Sequence, residues 1–213
     1  ATTEIYTLSL HDALPIFHLF ESKYNPPKFR KLIVAPFHMR NFFIRMINNE
    51  IKIAKSGKDA WCIVKLNNLV DDKMVKKLYQ ASEAGVKIKI ICRGTCTLVP
   101  GVKGQSENIE VISIVDKFLE HSRVFVFNNG GKEKYYISSA DWMVRNLDNR
   151  IEVACPVEDT SLQQELKTML LIQLKDNTKA RLVNYPVVNE YKERDKVPEI
   201  RSQVAIYDYL KSI

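Results

Sequence analysis

Phe118–Arg150, FLEHSRVFVFNNGGKEKYYISSADWMVRNLDNR, is the stretch whose reading decides the fold. Val124 and Val126 alternate with Phe125 and Phe127, which describes a strand apolar on both faces, as in the middle of a covered sheet. Asn129-Gly130-Gly131 then signals a hairpin turn, because glycine and asparagine accept the positive φ that tight turns demand. Tyr136 and Ile137 carry the return strand, which brings Ser138 and Ser139 beside the strand end where His121 and Arg123 stand, with Asp141 following. His121 and Arg123 are two positions apart and so share a face, where an arginine fork and an imidazole suit an oxyanion. The plainer reading is a surface histidine and an ordinary hairpin exit with a capping aspartate.

The chain upstream reads as alternating strands and helices. Leu32–Ala35 is a short buried strand ended by Pro36, and Met39, Phe42, Phe43, Met46, Ile47, Ile51 and Ala54 recur at helical spacing before Gly57. Ala60–Leu66 and Val86–Cys92 are strands flanking a helix that bears Met74, Val75, Leu78 and Ala81, capped by Asp71 or Asp72 and stopped at Gly85. That order predicts parallel strands with a right-handed crossover. Open α/β sheets bind ligands beyond the carboxyl ends of such strands, where Lys65, Asn67 and Arg93 fall. For Lys65 and Asn67 a solvated strand end is an equal alternative, and for Arg93 the alternative is a surface ion pair. Arg93 opens a loop holding Gly94, Gly101 and Gly104, whose backbone N–H groups are expected to approach an anion closely. A strand at Ile109–Ile112 and a turn or short helix at Val115–Glu120 lead into His121.

Downstream, Arg145, Asp148 and Arg150 lie in a polar, loop-like stretch before a strand at Ile151–Val157. Thr160 is read as the cap of a helix running through Leu162, Leu166, Met169, Leu170 and Gln173, and Val204–Leu210 as a terminal helix.

Composition bounds the class. The 213 residues are 46% hydrophobic and 27% charged, typical of a globular chain, and a net charge of +7 with a pI near 9.1 suggests an anionic partner such as nucleic acid, polyphosphate, a nucleotide or an acidic membrane surface, although many proteins this basic bind no polyanion. No run is long enough to span a bilayer. Cys62, Cys92 and Cys155 sit in apolar strands, Cys96 in a loop, and none forms a CxxC pair, so buried thiols in a reducing compartment are expected rather than a disulfide scaffold or zinc knuckle. Residues 1–16, ATTEIYTLSLHDALPI, fit neither a signal peptide nor the fold that follows; they are read as a foreign leader that packs against nothing. Residues 17–31, with Pro26-Pro27, are a linker, 32–180 the domain and 181–213 an extension with the terminal helix.

Several runs together resemble the C-terminal part of type 1 polyphosphate kinase. They are CRGTCTLVPG at 92–101, Ser106-Glu107-Asn108-Ile109, Phe118-Leu119-Glu120-His121-Ser122-Arg123, Ser139-Ala140-Asp141-Trp142-Met143 and Arg145-Asn146-Leu147-Asp148. The resemblance covers about Leu32 to Leu182 in order. It implies an α/β, phospholipase D-like domain with a mixed, mostly parallel sheet flanked by helices. It also implies an ATP–polyphosphate phosphotransferase in which Arg93 and His121 contact the nucleotide phosphates, His121 in a supporting catalytic role. Arg123 and Ser139 are further contacts by their placement. The family's phosphorylated histidine, in a Thr-His-Ala-Lys setting, has no counterpart here, and its magnesium-binding arginines and ATP-stacking tyrosine belong to a preceding domain. The chain therefore resembles one domain of an enzyme, with ATP or ADP, polyphosphate and the missing domains as partners. No metal ligand is assigned in this chain; a homo-oligomer, a cytoplasmic location reaching the inner membrane face, and no specific nucleic acid are expected.

The wider phospholipase D pattern places a lysine two residues after the histidine and an aspartate five further on, where this chain has Arg123 and Asn128. That departure weighs against the second reading, a phosphodiesterase or phosphatidyltransferase. A third, a non-catalytic basic polyanion-binding module, lacks the aromatic pair or recognition helix of nucleic-acid modules.

Overall fold

Apolar alternation builds the centre of the molecule. A computed structural model describes residue 12 and residues 15–19, 28–184, 190–192 and 197–213. Its strands are β1 (Ile33–Ala35), β2 (Trp61–Leu66), β3 (Lys87–Cys92), β4 (Ile109–Ile114), β5 (Arg123–Phe127), β6 (Lys134–Ser138), β7 (Glu152–Val157) and β8 (Ala180–Leu182), and they form one sheet in the order β1-β7-β6-β5-β2-β3-β4-β8. Phe125 and Phe127 enter one core and Val124 and Val126 the other, as their alternation requires. Helices α1 (Met39–Lys55) and α2 (Asp72–Glu83) cover the first face, with Met39, Phe43, Ile47, Met74 and Leu78 buried. Leu166, Leu170 and Leu174 of α3 (Thr160–Leu174) cover the second. Helix α4 (Ser202–Ser212) ends the chain.

The expected direction of the sheet needs correction. Among the described strands only β2–β3 and β3–β4 pair in parallel; the other pairings are antiparallel, so the sheet is mixed and mostly antiparallel. The reason lies between β4 and β5. The chain leaves β4 at the carboxyl edge of the parallel strands and runs through 115–122 with a bend but no helix, so the expected short helix there is absent. Parallel pairing needs a crossover of about a dozen residues or more to return the chain to the opposite edge. Without one, β5 starts where β4 stopped and runs antiparallel to β2. The tight turn at Asn129–Gly131 then makes β6 antiparallel in its turn.

Other boundaries move slightly. Asp71 caps α2, its carboxylate accepting from Met74 N, and Asp159 rather than Thr160 caps α3 by accepting from Ser161 N and Leu162 N. Arg145–Asn149 forms a π-helical turn instead of a loop and buries Asn146 and Leu147. The division at 180/181 falls within β8, which pairs with β4. Asp12, in the stretch expected to pack against nothing, is buried and accepts from Arg30 N, Lys31 N and Leu32 N at 3.0 Å each. Leu19 of the linker is buried too, while 1–11, 13–14 and 20–27 lie outside the described residues. Cys62 and Cys92 are buried thiols, and Cys96 and Cys155 are partly buried.

Phe43 is the knot of the first core: its ring centroid lies 4.5 Å from Phe125, 5.6 Å from Trp142 and 6.4 Å from Phe127. Phe125 stacks on Trp142 at 5.2 Å with an interplanar angle of 8°. Phe43→Ala should therefore destabilise the chain by about 3–5 kcal/mol, read as a lower denaturant midpoint. A midpoint shifted no more than by a surface alanine would show that this cluster does not hold the two layers together.

Candidate functional site

The antiparallel entry of β5 is what assembles a site. β2 and β3 end, β5 begins and β6 ends at one edge of the sheet. A cleft of about 420 Å³ opens there, lined by Asn67, Asn68, Arg93, His121, Arg123, Ser139, Asp141, Arg145, Asn146, Arg150 and Glu152. The four residues expected to contact the nucleotide, Arg93, His121, Arg123 and Ser139, line this one space together with Asn67 and Asp141, whereas Lys65 does not.

Asp141 holds the edge together. Its Oδ1 accepts from Asn67 N at 2.8 Å and Arg123 Nε at 3.0 Å; its Oδ2 accepts from Asn68 Nδ2 at 2.9 Å and Arg123 NH2 at 3.3 Å. Burial pushes its carboxyl pKa up, but the hydrogen bonds from Arg123, Asn68 and Asn67 outweigh it and hold the group below its ordinary value. Arg123 in turn lies against His121: NH1 is 3.1 Å from Nδ1 and from the backbone oxygen, which it also reaches as a donor. NH2 lies 3.4 Å from Nε2, so both ring nitrogens face the guanidinium, and the tautomer decides which of them accepts.

Arg93 is held at its stem, where Nε donates to Asn67 Oδ1 at 2.9 Å, leaving its two terminal nitrogens without a partner among the described residues. Arg145 and Arg150 are exposed and likewise make no side-chain hydrogen bond or ion pair there. Of the carboxylates, Asp141 is matched by Arg123, and Glu152 accepts from Ser139 Oγ and from Asn146 Nδ2. The uncompensated charge of the cleft is thus positive and supplied by forked donors, a combination suited to phosphate oxygens.

Two expectations change. The amides of the glycine loop are used internally: Gly94 N donates to Asn67 O at 2.7 Å, Thr95 N to Asn68 Oδ1 at 3.1 Å and Gly101 N to Ser106 O at 2.9 Å. None of Gly94, Gly101 and Gly104 lines the cleft, so its anion-binding capacity lies in side chains. Gly94 has a packing reason instead, since a Cβ there would meet Asn68 Oδ1 at 2.8 Å and Asn67 O at 2.9 Å. Lys65 is not a solvated strand end; it is buried and its Nζ lies 2.5 Å from Glu120 Oε2. Arg145, Arg150, Asn68, Asn146 and Glu152 were not selected as site residues from the sequence. Only the nearness of the two arginines to the Ser139–Met143 run hinted at them, because a π-helical turn is needed to swing them to the edge.

Fold and cleft together define the class: a phospholipase D-like α/β domain with an arginine-rich cleft at a sheet edge. The phospholipase D family member Nuc from Salmonella typhimurium shares the fold, with a TM-score of 0.52 and 12% identity over 72% of this chain and 97% of that one. The polyphosphate kinase C-terminal domain 2 family matches residues 32–203, and the chain belongs to that family. The polyphosphate kinase of Vibrio parahaemolyticus is 52% identical over 198 residues, 93% of this chain and 28% of the relative. The crystal structure of the Porphyromonas gingivalis polyphosphate kinase gives a TM-score of 0.91 at 46% identity, covering 95% of this chain and 31% of that one. The chain thus spans less than a third of the length of these relatives.

Because the folded-state pKa of Asp141 is depressed, its stabilisation is full above the ordinary carboxylate range and is lost as pH falls through the folded value. Asp141→Asn should cost about 1–3 kcal/mol near neutral pH and flatten the acid limb of the stability profile. Denaturation curves across that range check it; parallel acid limbs for parent and variant would exclude Asp141 as the group responsible.

Proposed function

We propose that this chain is the ATP-pocket domain of a polyphosphate kinase, which reversibly transfers the terminal phosphate of ATP to inorganic polyphosphate through a phosphohistidine carried on another domain. The observation that carries this is the convergence of Arg93, His121, Arg123 and Ser139 on one cleft at a sheet edge. Family membership and the polyphosphate kinase relatives support it.

Phosphoryl transfer asks for positioning and for neutralisation of charge spreading over the equatorial oxygens. Arg93, fixed at Nε and with no partner at its fork among the described residues, is placed to take two oxygens of an ATP phosphate. Arg145 and Arg150 supply further positive charge at the mouth. The Ser139 hydroxyl lines the cleft but is engaged within the fold, donating to Glu152 and accepting from Val153 N at 3.1 Å, so it becomes a phosphate donor only by giving up Glu152. His121, supported by Arg123, would hydrogen-bond or protonate near the transferring group. Among the described residues no group of three His, Cys, Asp or Glu side chains is placed to hold a metal ion. On the family resemblance, magnesium ligation is proposed for the domains outside this chain.

Its partners on this reading are ATP or ADP, polyphosphate and the other domains of the enzyme, in a homo-oligomer. The location is cytoplasmic, reaching the inner membrane face; among the described residues no helix is long and apolar enough to cross a membrane. Phosphodiester hydrolysis is the assay that separates this reading from the phospholipase D one. Asn128, where that pattern has aspartate, sits at the far end of β5 and caps the hairpin turn through Gly131 N, away from the cleft.

In a full-length enzyme rebuilt around this chain, Arg93→Ala should remove a charge-assisted contact of roughly 1.5–3 kcal/mol, a loss of about tenfold or more in ATP-dependent turnover. Arg93→Lys should restore only part, since an ammonium lacks the fork. Steady-state kinetics decide it, and unaltered turnover in Arg93→Ala would defeat the proposed phosphate contact.

A further inference from the structure

His121 lies one residue before the end of a segment, 115–122, that has no helix or strand of its own, yet the imidazole must be placed closely for its proposed part in transfer. What orders this segment comes from distant parts of the chain, and the contacts converge on Glu120, the residue immediately before His121. Glu120 Oε2 receives Lys65 Nζ from β2 at 2.5 Å and Gln173 Nε2 from α3 at 2.9 Å; Oε1 receives Gln203 Nε2 from α4 at 3.0 Å. The Glu120 side chain is 14% exposed and that of Lys65 4%, so the pair sits largely out of water, where a misplaced partner costs most.

Gln203 does more than meet Glu120. Its amide brackets the backbone two residues earlier, accepting from Phe118 N at 3.0 Å and donating to Phe118 O at 2.8 Å, as a neighbouring strand would. Two residues before it, at the cap of the helix, Arg201 forks onto Asp116, with Nε at 2.8 Å and NH2 at 2.6 Å from its two oxygens. The start of α4 is itself anchored from below: Asp176 Oδ2 accepts from Ser202 N at 2.7 Å and Asn177 Oδ1 from Ile200 N at 2.7 Å. The path therefore runs from a fixed helix start through Gln203 and Arg201 to the loop that carries His121.

We infer that the amino-terminal turn of α4 is a positioning clamp for His121: Gln203, with Lys65 and Gln173, fixes Glu120 and Phe118 and so holds the imidazole against Arg123 in the cleft. The segment that reads from sequence as an extension is on this view part of the site. Gln203 is a positioning residue, since it lines the neighbouring apolar cleft of Phe118, Leu166 and Ile206 and not the arginine cleft. The inference rests on the proposed phosphate-transfer role of His121, and the test below separates the two.

Gln203→Leu keeps the bulk and removes the amide; Val204→Ala, at an exposed neighbour on the same helix, is the control. In NMR spectra of the 213-residue chain, the imidazole signals of His121 should shift in Gln203→Leu and stay in place in Val204→Ala, with those of His38 unchanged in both. In the rebuilt full-length enzyme, Gln203→Leu should lower kcat about tenfold to a hundredfold with little change in KM for ATP. The same substitution made on top of His121→Ala should cost nothing further, as expected for a residue that acts through another. A full additional loss in the double variant, unmoved His121 signals, or an unaltered kcat beside an impaired His121→Ala enzyme would overturn the clamp and leave the phosphate site standing. A His121→Ala enzyme with undiminished kcat would remove the site's proposed role and the clamp with it. Should Gln203→Leu melt early, Glu120→Gln, which loses the charge facing Lys65 and keeps the side chain's length, serves the same comparison.

Discussion

The carboxylate of Asp141 is the constraint on which the working edge of this protein depends. It takes four hydrogen bonds, from the end of β2 through Asn67 and Asn68 and from the start of β5 through both nitrogens offered by Arg123, while its own backbone follows β6. Three strand ends are thereby tied at one buried point. Next to it Trp142 stacks on Phe125 and meets Phe43, so the polar tie and the aromatic core are consecutive residues of one chain segment. A buried acid is tolerable here only because its oxygens are so fully engaged.

That tie matters because no single element carries the cleft. Arg93 comes from the end of β3, His121 and Arg123 from the entry to β5, Ser139 from the exit of β6, and Arg145 and Arg150 from the π-helical turn and its exit. The turn is braced from behind by Arg40 of α1, whose guanidinium reaches both Asp71, the cap of α2, and Asp148 within the turn. One buried arginine thus links two helices to the segment that presents Arg145 and Arg150 to the cleft. The division of charge is consistent across the edge: Arg40 and Arg123 are spent on aspartates and give structure, whereas among the described residues the terminal nitrogens of Arg93 and the side chains of Arg145 and Arg150 have no partner.

The loop before His121 is the least self-sufficient part of this arrangement. It shows Phe118 and Leu119 to solvent and gains its order from Lys65, Gln173, Arg201 and Gln203, spread over β2, α3 and the start of α4. Such a segment is well suited to a role that requires exact placement with some freedom to adjust, because its ordering rests on polar contacts that are modest one by one.

From the sequence alone, the two-faced strand 124–127, the hairpin at Asn129–Gly131, the helical stripes of α1 and α2 and the membership of Arg93, His121, Arg123 and Ser139 in one edge were all legible. Each rests on local periodicity, turn chemistry or a short motif. Strand direction was not legible, since the choice between a crossover and a direct re-entry after β4 depends on whether 115–122 forms a helix, and its apolar residues are ambiguous without a surface to pack on. Nor did sequence disclose that the glycine-loop amides are consumed internally, that Lys65 is buried against Glu120, or that Arg145 and Arg150 reach the cleft. Those are pairings between residues far apart in the chain, and only the closed tertiary structure, by burying some polar groups and leaving others unpaired, decided which were structure and which were site.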